Sequence, residues 1–65
     1  MINNLNGTVK EFAEACYNNA NSIDELKEVL ESEDLKLYCE TWGITEVEAK
    51  EAINAAIKEL ESEHE

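Results

Sequence analysis

Apolar residues recur along this chain at spacings of three and four, in four runs separated by short polar breaks. Val9, Phe12, Ala13, Cys16 and Ala20 form the first run, and Ile23, Leu26, Val29 and Leu30 the second. Leu35, Tyr38, Cys39 and Trp42 form the third, and Ala49, Ala52, Ile53, Ala56, Ile57 and Leu60 the fourth. This period puts each run on one face of an α-helix and does not fit the alternation of a half-buried strand. The predicted fold is all-α, a compact bundle of three to four short helices with a longer C-terminal helix.

Capping chemistry sets the expected boundaries. Met1 to Gly7 reads as an irregular lead-in whose Ile2 and Leu5 are free to fold back onto the core. Thr8-Val9-Lys10-Glu11 has the form of a capping box, in which hydroxyl and carboxylate each take a backbone N–H of the other residue, so the first helix is expected to start at Thr8. Asn18-Asn19-Ala20-Asn21 ends it, because short amides compete with helical hydrogen bonds. Ser22-Ile23-Asp24-Glu25 is a second box. Ser32, followed by Glu33 and Asp34, is suited to cap a third helix, but no Gly, Pro or Asn breaks the chain there. One bent helix from Ile23 to Thr41 is therefore the alternative.

Gly43 supplies the positive φ of a helix ending, with Ile44 placed for the accompanying apolar contact. Thr45-Glu46-Val47-Glu48 is the third box and opens a helix expected to reach about Glu61. Glu48, Glu51, Ala55, Lys58 and Glu59 are expected on its exposed side. Trp42 is expected to be buried beneath the Gly43 corner, Tyr17 to lie at the edge of its stripe, and Leu37 to lie off the shared face of its helix. Tyr17 and Leu37 are therefore the candidates for apolar contact with a partner.

At 65 residues and 43% hydrophobic content the chain reads as a single domain, with residues 1–7 and 62–65 expected to fray. A domain of this size buries only roughly 60% of its unfolded surface, so a homodimer is one way for it to gain stability. The opening residues lack a secretory leader's basic and apolar regions, and no apolar run approaches the ~20 residues of a membrane span. The protein is expected to be cytoplasmic and to have no membrane partner.

Candidate chemistry is sparse. Cys16 and Cys39 are expected to be reduced core residues, and His64 is the sole histidine, at the end of the chain. No metal or other cofactor and no catalytic set is expected, since a nucleophile would lack a base. Carboxylates abound, but general acid-base work needs one in a desolvated cleft, so no enzyme activity is expected.

Charge changes the picture most. Five basic and sixteen acidic residues give a net charge of −11, concentrated after residue 20. Such a field repels phosphates and anionic lipid and attracts basic protein surfaces. The corner at Gly43 matches the spacing of a helix-turn-helix, but the outward residues of the following helix are Glu46, Glu48, Lys50 and Glu51, which would face DNA phosphates with carboxylates. A helix-turn-helix-like regulator is accordingly the second reading. The first is an acidic, non-enzymatic protein-binding module with a basic protein surface as partner and no nucleic acid, whose carboxylates imitate the phosphate rows of a duplex. Its candidate partner-binding residues are Glu25, Glu28, Glu31, Glu33, Glu40, Glu48, Glu51 and Glu59, with Tyr17 and Leu37.

In size and acidic composition the chain resembles the small phage-encoded inhibitors of restriction and CRISPR nucleases, a likeness of bulk character. That resemblance implies a competitor of a nucleic-acid-handling enzyme. Asn21-Ser22-Ile23-Asp24 also resembles the Asp-Ser-Leu phosphopantetheine site of acyl carrier proteins, but Asn21 stands in the Asp position and capping accounts for Ser22.

Overall fold

The computed structural model describes residues 2–63, so the expectations placed on residues 64 and 65, His64 included, lie outside the described residues. A short 3-10 turn, η1 (Ile2–Asn4), precedes four helices: α1 (Gly7–Asn19), α2 (Ile23–Glu31), α3 (Asp34–Trp42) and α4 (Glu46–Glu63). The longest helix is the last, and the described residues contain no strand. None of these helices is long and apolar enough to cross a membrane.

Helix α4 is central, in contact with η1, α1, α2 and α3. Ala49, Ala52, Ala55 and Ala56 are buried along it beside Ile53 and Ile57, and Ile53 is the largest side chain wholly removed from solvent. The alanine methyls let neighbouring backbones approach, while Ile53 and Ile57 fill the space against Phe12, Ala13, Leu26, Leu35 and Cys39. Ile2 is buried as well, so the lead-in folds onto the core through η1.

Four expectations are corrected. The Thr8 capping box does not form: the cap falls two residues earlier, on Asn6, which is extended (φ −130°, ψ 153°) with its carbonyl accepting from the Lys10 N–H at 3.4 Å. Gly7, at φ +58°, turns the chain from η1 into the helix, which leaves Thr8 inside the first turn where it cannot cap. Tyr38 does not face the core and is 40% exposed. Leu35, Cys39 and Trp42 already fill α3's inward face at spacings of four and three, which leaves Tyr38 on its flank. Ala55 is buried rather than exposed, and Glu48 and Glu59 are half-buried. The reason is that α4 is covered over about half its circumference, and Ala55 lies on the same edge of that arc as Glu48, Ala52 and Glu59. Finally, α4 continues past Glu61 to Glu63.

Of the two readings of residues 23–41, two helices are found. Ser32 adopts an extended conformation (φ −79°, ψ 146°) and its N–H donates to the Val29 carbonyl at 3.2 Å, closing α2. Its hydroxyl accepts from the Asp34 N–H at 3.0 Å, and its carbonyl accepts from the Leu35 N–H at 3.2 Å, opening α3. One serine thus satisfies backbone groups on both sides of the break.

The third box forms in full and the second only in half, because the Glu25 carboxylate takes the N–H of Asn21 and not that of Ser22. Ser22 Oγ accepts from the Glu25 N–H at 3.3 Å, and the Glu25 carboxylate reaches back to the Asn21 N–H at the same distance. Thr45 and Glu48 are fully reciprocal: Thr45 N–H donates to Glu48 Oε1 at 3.0 Å, and Glu48 N–H donates to Thr45 Oγ1 at 3.1 Å. Between them Gly43 is left-handed (φ 69°, ψ 36°), and the N–H groups of Gly43 and Ile44 both donate to the Cys39 carbonyl. The Ile44 bond is the 6→1 bond of a Schellman ending, the Gly43 bond is the 5→1 bond of the simpler left-handed ending, and half-buried Ile44 lies against the core.

A Cβ at Gly43 would meet no atom within 4 Å, so substitution there isolates backbone strain from collision. Gly43→Val is expected to cost about 1–2 kcal/mol in urea unfolding, and Gly43→Asn distinctly less, through the left-handed backbone alone. At the centre, Ile53→Ala is expected to cost about 3 kcal/mol, a large share of the roughly 3–10 kcal/mol such a chain commands, read as a fall in the thermal midpoint.

Candidate functional site

Two kinds of surface could engage a partner: the exposed carboxylates, and the apolar side chains that the bundle leaves open. Glu28 and Glu31 on α2, Glu33 at the α2–α3 junction, Glu40 on α3 and Glu51 on α4 are all exposed. Glu25 is exposed too, but its carboxylate holds the Asn21 N–H, and half-buried Glu48 spends an oxygen on Thr45. Glu59, also half-buried, lines a hollow with Ile2, Asn3 and Tyr17 and carries interactions of its own. The candidate carboxylates therefore divide into five with no structural bond here and three committed to the fold.

They are spread over α2, the α2–α3 junction, α3 and α4. Glu31 and Glu33 share a shallow hollow with Glu46, Lys36 and Lys50, where the lysines offset part of the negative charge. No group of three or more His, Cys, Asp or Glu among the described residues is arranged to hold a metal ion.

Tyr17 and Leu37 occupy different settings. Tyr17 is half-buried, and its hydroxyl donates to a Glu63 carboxylate oxygen, tying the ends of α1 and α4 together. That bond raises the phenol above its ordinary value, with burial and the charges of Glu63 and Glu59 acting in the same direction. The folded state thus favours the protonated phenol, and this contribution is lost as pH rises through the raised value. Leu37 is 60% exposed on the outer side of α3, and Thr41 Oγ1 donates to its carbonyl at 2.9 Å.

A feature the sequence did not reveal lies between α1, α2 and α3. Phe12, Cys16, Leu26, Val29, Tyr38 and Trp42 line a groove of about 270 Å³. The rings set its floor and wall: Phe12 meets Trp42 edge-on at 5.5 Å between centroids and Tyr38 at 6.4 Å with a 45° tilt. Trp42 is half-buried, so it does not disappear beneath the corner as expected but turns part of its surface to this groove. The groove stays open because, beyond Phe12 and Cys16, α1 and the residue that ends it offer only Ala15, Asn19 and Ala20, too short to reach across to α2 and α3. A sequence signal existed in the small residues flanking Phe12 and Cys16, but it depends on which helix α1 faces, and periodicity does not supply that.

Both thiols are free, and neither is activated. Burial pushes Cys16 up to about 11. Burial also raises Cys39, with the nearby charge of Glu46 adding to it. A disulfide exchange reagent at pH 8 is expected to label Cys16 and Cys39 many-fold more slowly in the folded protein than in urea, because the thiolate is the attacking species. Equal rates in the two states would show that the thiols are not held as the structure has them.

Compared with known proteins, the chain matches no family model, no curated protein and no solved structure.

Proposed function

We propose that this protein is an acidic, non-enzymatic binding module that occupies a basic protein surface and competes there with nucleic acid. The observation that carries the reading is the net charge of −11, presented on a helical scaffold in which Glu28, Glu31, Glu33, Glu40 and Glu51, spread over α2, α3, α4 and the α2–α3 junction, are exposed and make no structural bond among the described residues. Carboxylates carried on a folded helical scaffold attract a cationic cleft at long range and raise the rate of encounter with it. The cleft of a nucleic-acid-handling protein is a surface of that kind, and a phage anti-defence inhibitor, a DNA mimic in effect, is the biological role that fits a module of this size and charge.

The helix-turn-helix reading has the corner at Gly43 in its favour but not the side chains. Exposed Glu46, Lys50, Glu51, Asn54 and Lys58 on α4 would bring as many carboxylates as ammonium groups toward each phosphate row, and no arginine is present in the chain.

The test is competition. At about 0.15 M ionic strength a labelled DNA duplex is expected not to bind, whereas a basic DNA-binding protein is expected to bind with an affinity that falls steeply with salt and to be released by added duplex. Neutralising Glu28, Glu31 and Glu51 to glutamine is expected to slow association with the basic protein by about tenfold while leaving the helical circular dichroism unchanged. Duplex binding that survives at that ionic strength would overturn the reading in favour of a regulator.

A further inference from the structure

We infer that the groove between α1, α2 and α3 is a docking site for one face of a cationic amphipathic helix, a bulky apolar side chain entering the groove and lysines or arginines flanking it. This inference rests on the proposed acidic binding role and names the surface and the kind of segment it takes.

Three observations carry it. First, the groove has an apolar interior: its lining residues include three aromatic rings, Leu26 and Val29, and none of the five lysines. Tyr38, at the edge of the groove, is 40% exposed, so part of this apolar lining already meets solvent. Second, every helix bordering it carries a carboxylate on the side that meets the groove. Glu25 is the one charged lining residue. Glu11 lies one turn before Ala15 on α1, Glu28 one turn after Glu25 on α2, and Asp34 one turn before Tyr38 on α3, and all three are exposed. Third, the charge decides between occupants. A second copy of a chain with net charge −11 would bring like charge to an already acidic rim, whereas a cationic helix pairs with Glu11, Glu25, Glu28 and Asp34 as its apolar residue leaves water. Anchors spaced along one helix face are the usual means by which such a segment reads a groove.

Trp42, the only tryptophan, lines the groove and reports on its occupancy through its own emission. The full chain is titrated with a tryptophan-free five-turn peptide bearing leucines on one helical face and lysines on the other. Controls are a scrambled peptide of identical composition, which has no apolar face, and a version with glutamate in place of lysine. The amphipathic cationic peptide is expected to change Trp42 emission saturably and to bind at least about tenfold more tightly than the scrambled peptide, while the acidic version does not bind.

Glu11→Lys combined with Glu28→Lys is expected to weaken the peptide about tenfold or more, and Glu61→Lys, exposed near the end of α4, by no more than about twofold. Ala15→Arg, which fills the mouth, is expected to abolish the emission change, and circular dichroism confirms that each variant is folded. Equal binding of scrambled and amphipathic peptides, or equal loss from the rim and α4 reversals, would overturn the groove while leaving the acidic binding role standing. Failure of every cationic peptide to bind would overturn both. A concentration-dependent dimer in sedimentation, dispersed by Ala15→Arg, would assign the groove to a second copy and overturn the inference.

Discussion

The structure depends on the close approach that the alanines of α4 allow. A helix that must touch η1, α1, α2 and α3 at once has no room for four large faces, and Ala49, Ala52, Ala55 and Ala56 keep the neighbouring backbones near it. Ile53 and Ile57 then concentrate the apolar volume where α1, α2 and α3 converge. Dispersion and burial at that density are what a chain of 65 residues has to set against its conformational entropy. The Cα radius of gyration, 10.7 Å, is that of a fully collapsed chain of this length, about 11 Å, so the short helices are packed around α4 and not strung beside it.

Surrounding α4 with short elements has two consequences. Each short helix needs its ends satisfied by local chemistry, and Ser22, Ser32, Gly43, Thr45 and Glu48 provide it at the successive breaks. The helices around α4 are also held to it more firmly than to one another, which leaves the space at Phe12, Val29 and Trp42 incompletely filled. The groove is thus a by-product of the same architecture that makes the core.

Acidity serves more than one purpose in this scaffold. Glu25 and Glu48 take up backbone N–H groups at helix starts, where the macrodipole also favours negative charge. Glu63 receives the Tyr17 hydroxyl and joins the far ends of α1 and α4. Glu28, Glu31, Glu33, Glu40 and Glu51 have no such duty, and they supply the outward field on which the proposed binding role relies. Counting carboxylates along the chain does not make this distinction, because capping and solvated glutamates have the same identity and similar spacing.

The sequence by itself determined the helical class, the four apolar stripes, the corner at Gly43, the cap at Ser22 and the box at Thr45, because each follows from residues within one or two turns. It left the break at Ser32 open, since a serine caps as readily as it continues a solvated face. It misplaced the start of α1 because the competing signal was Gly7, whose positive φ follows from how η1 folds back. Only the tertiary structure decided which residues of each stripe's edge are covered. Ala55 is buried and Glu48 and Glu59 half-buried because α4 is surrounded on more sides than one stripe implies, while Tyr38 and part of Trp42 are exposed because Ala15, Asn19 and Ala20 present only short side chains to the groove they line. Periodicity gives the face of a helix, but the width of that face is set by how many neighbours it meets.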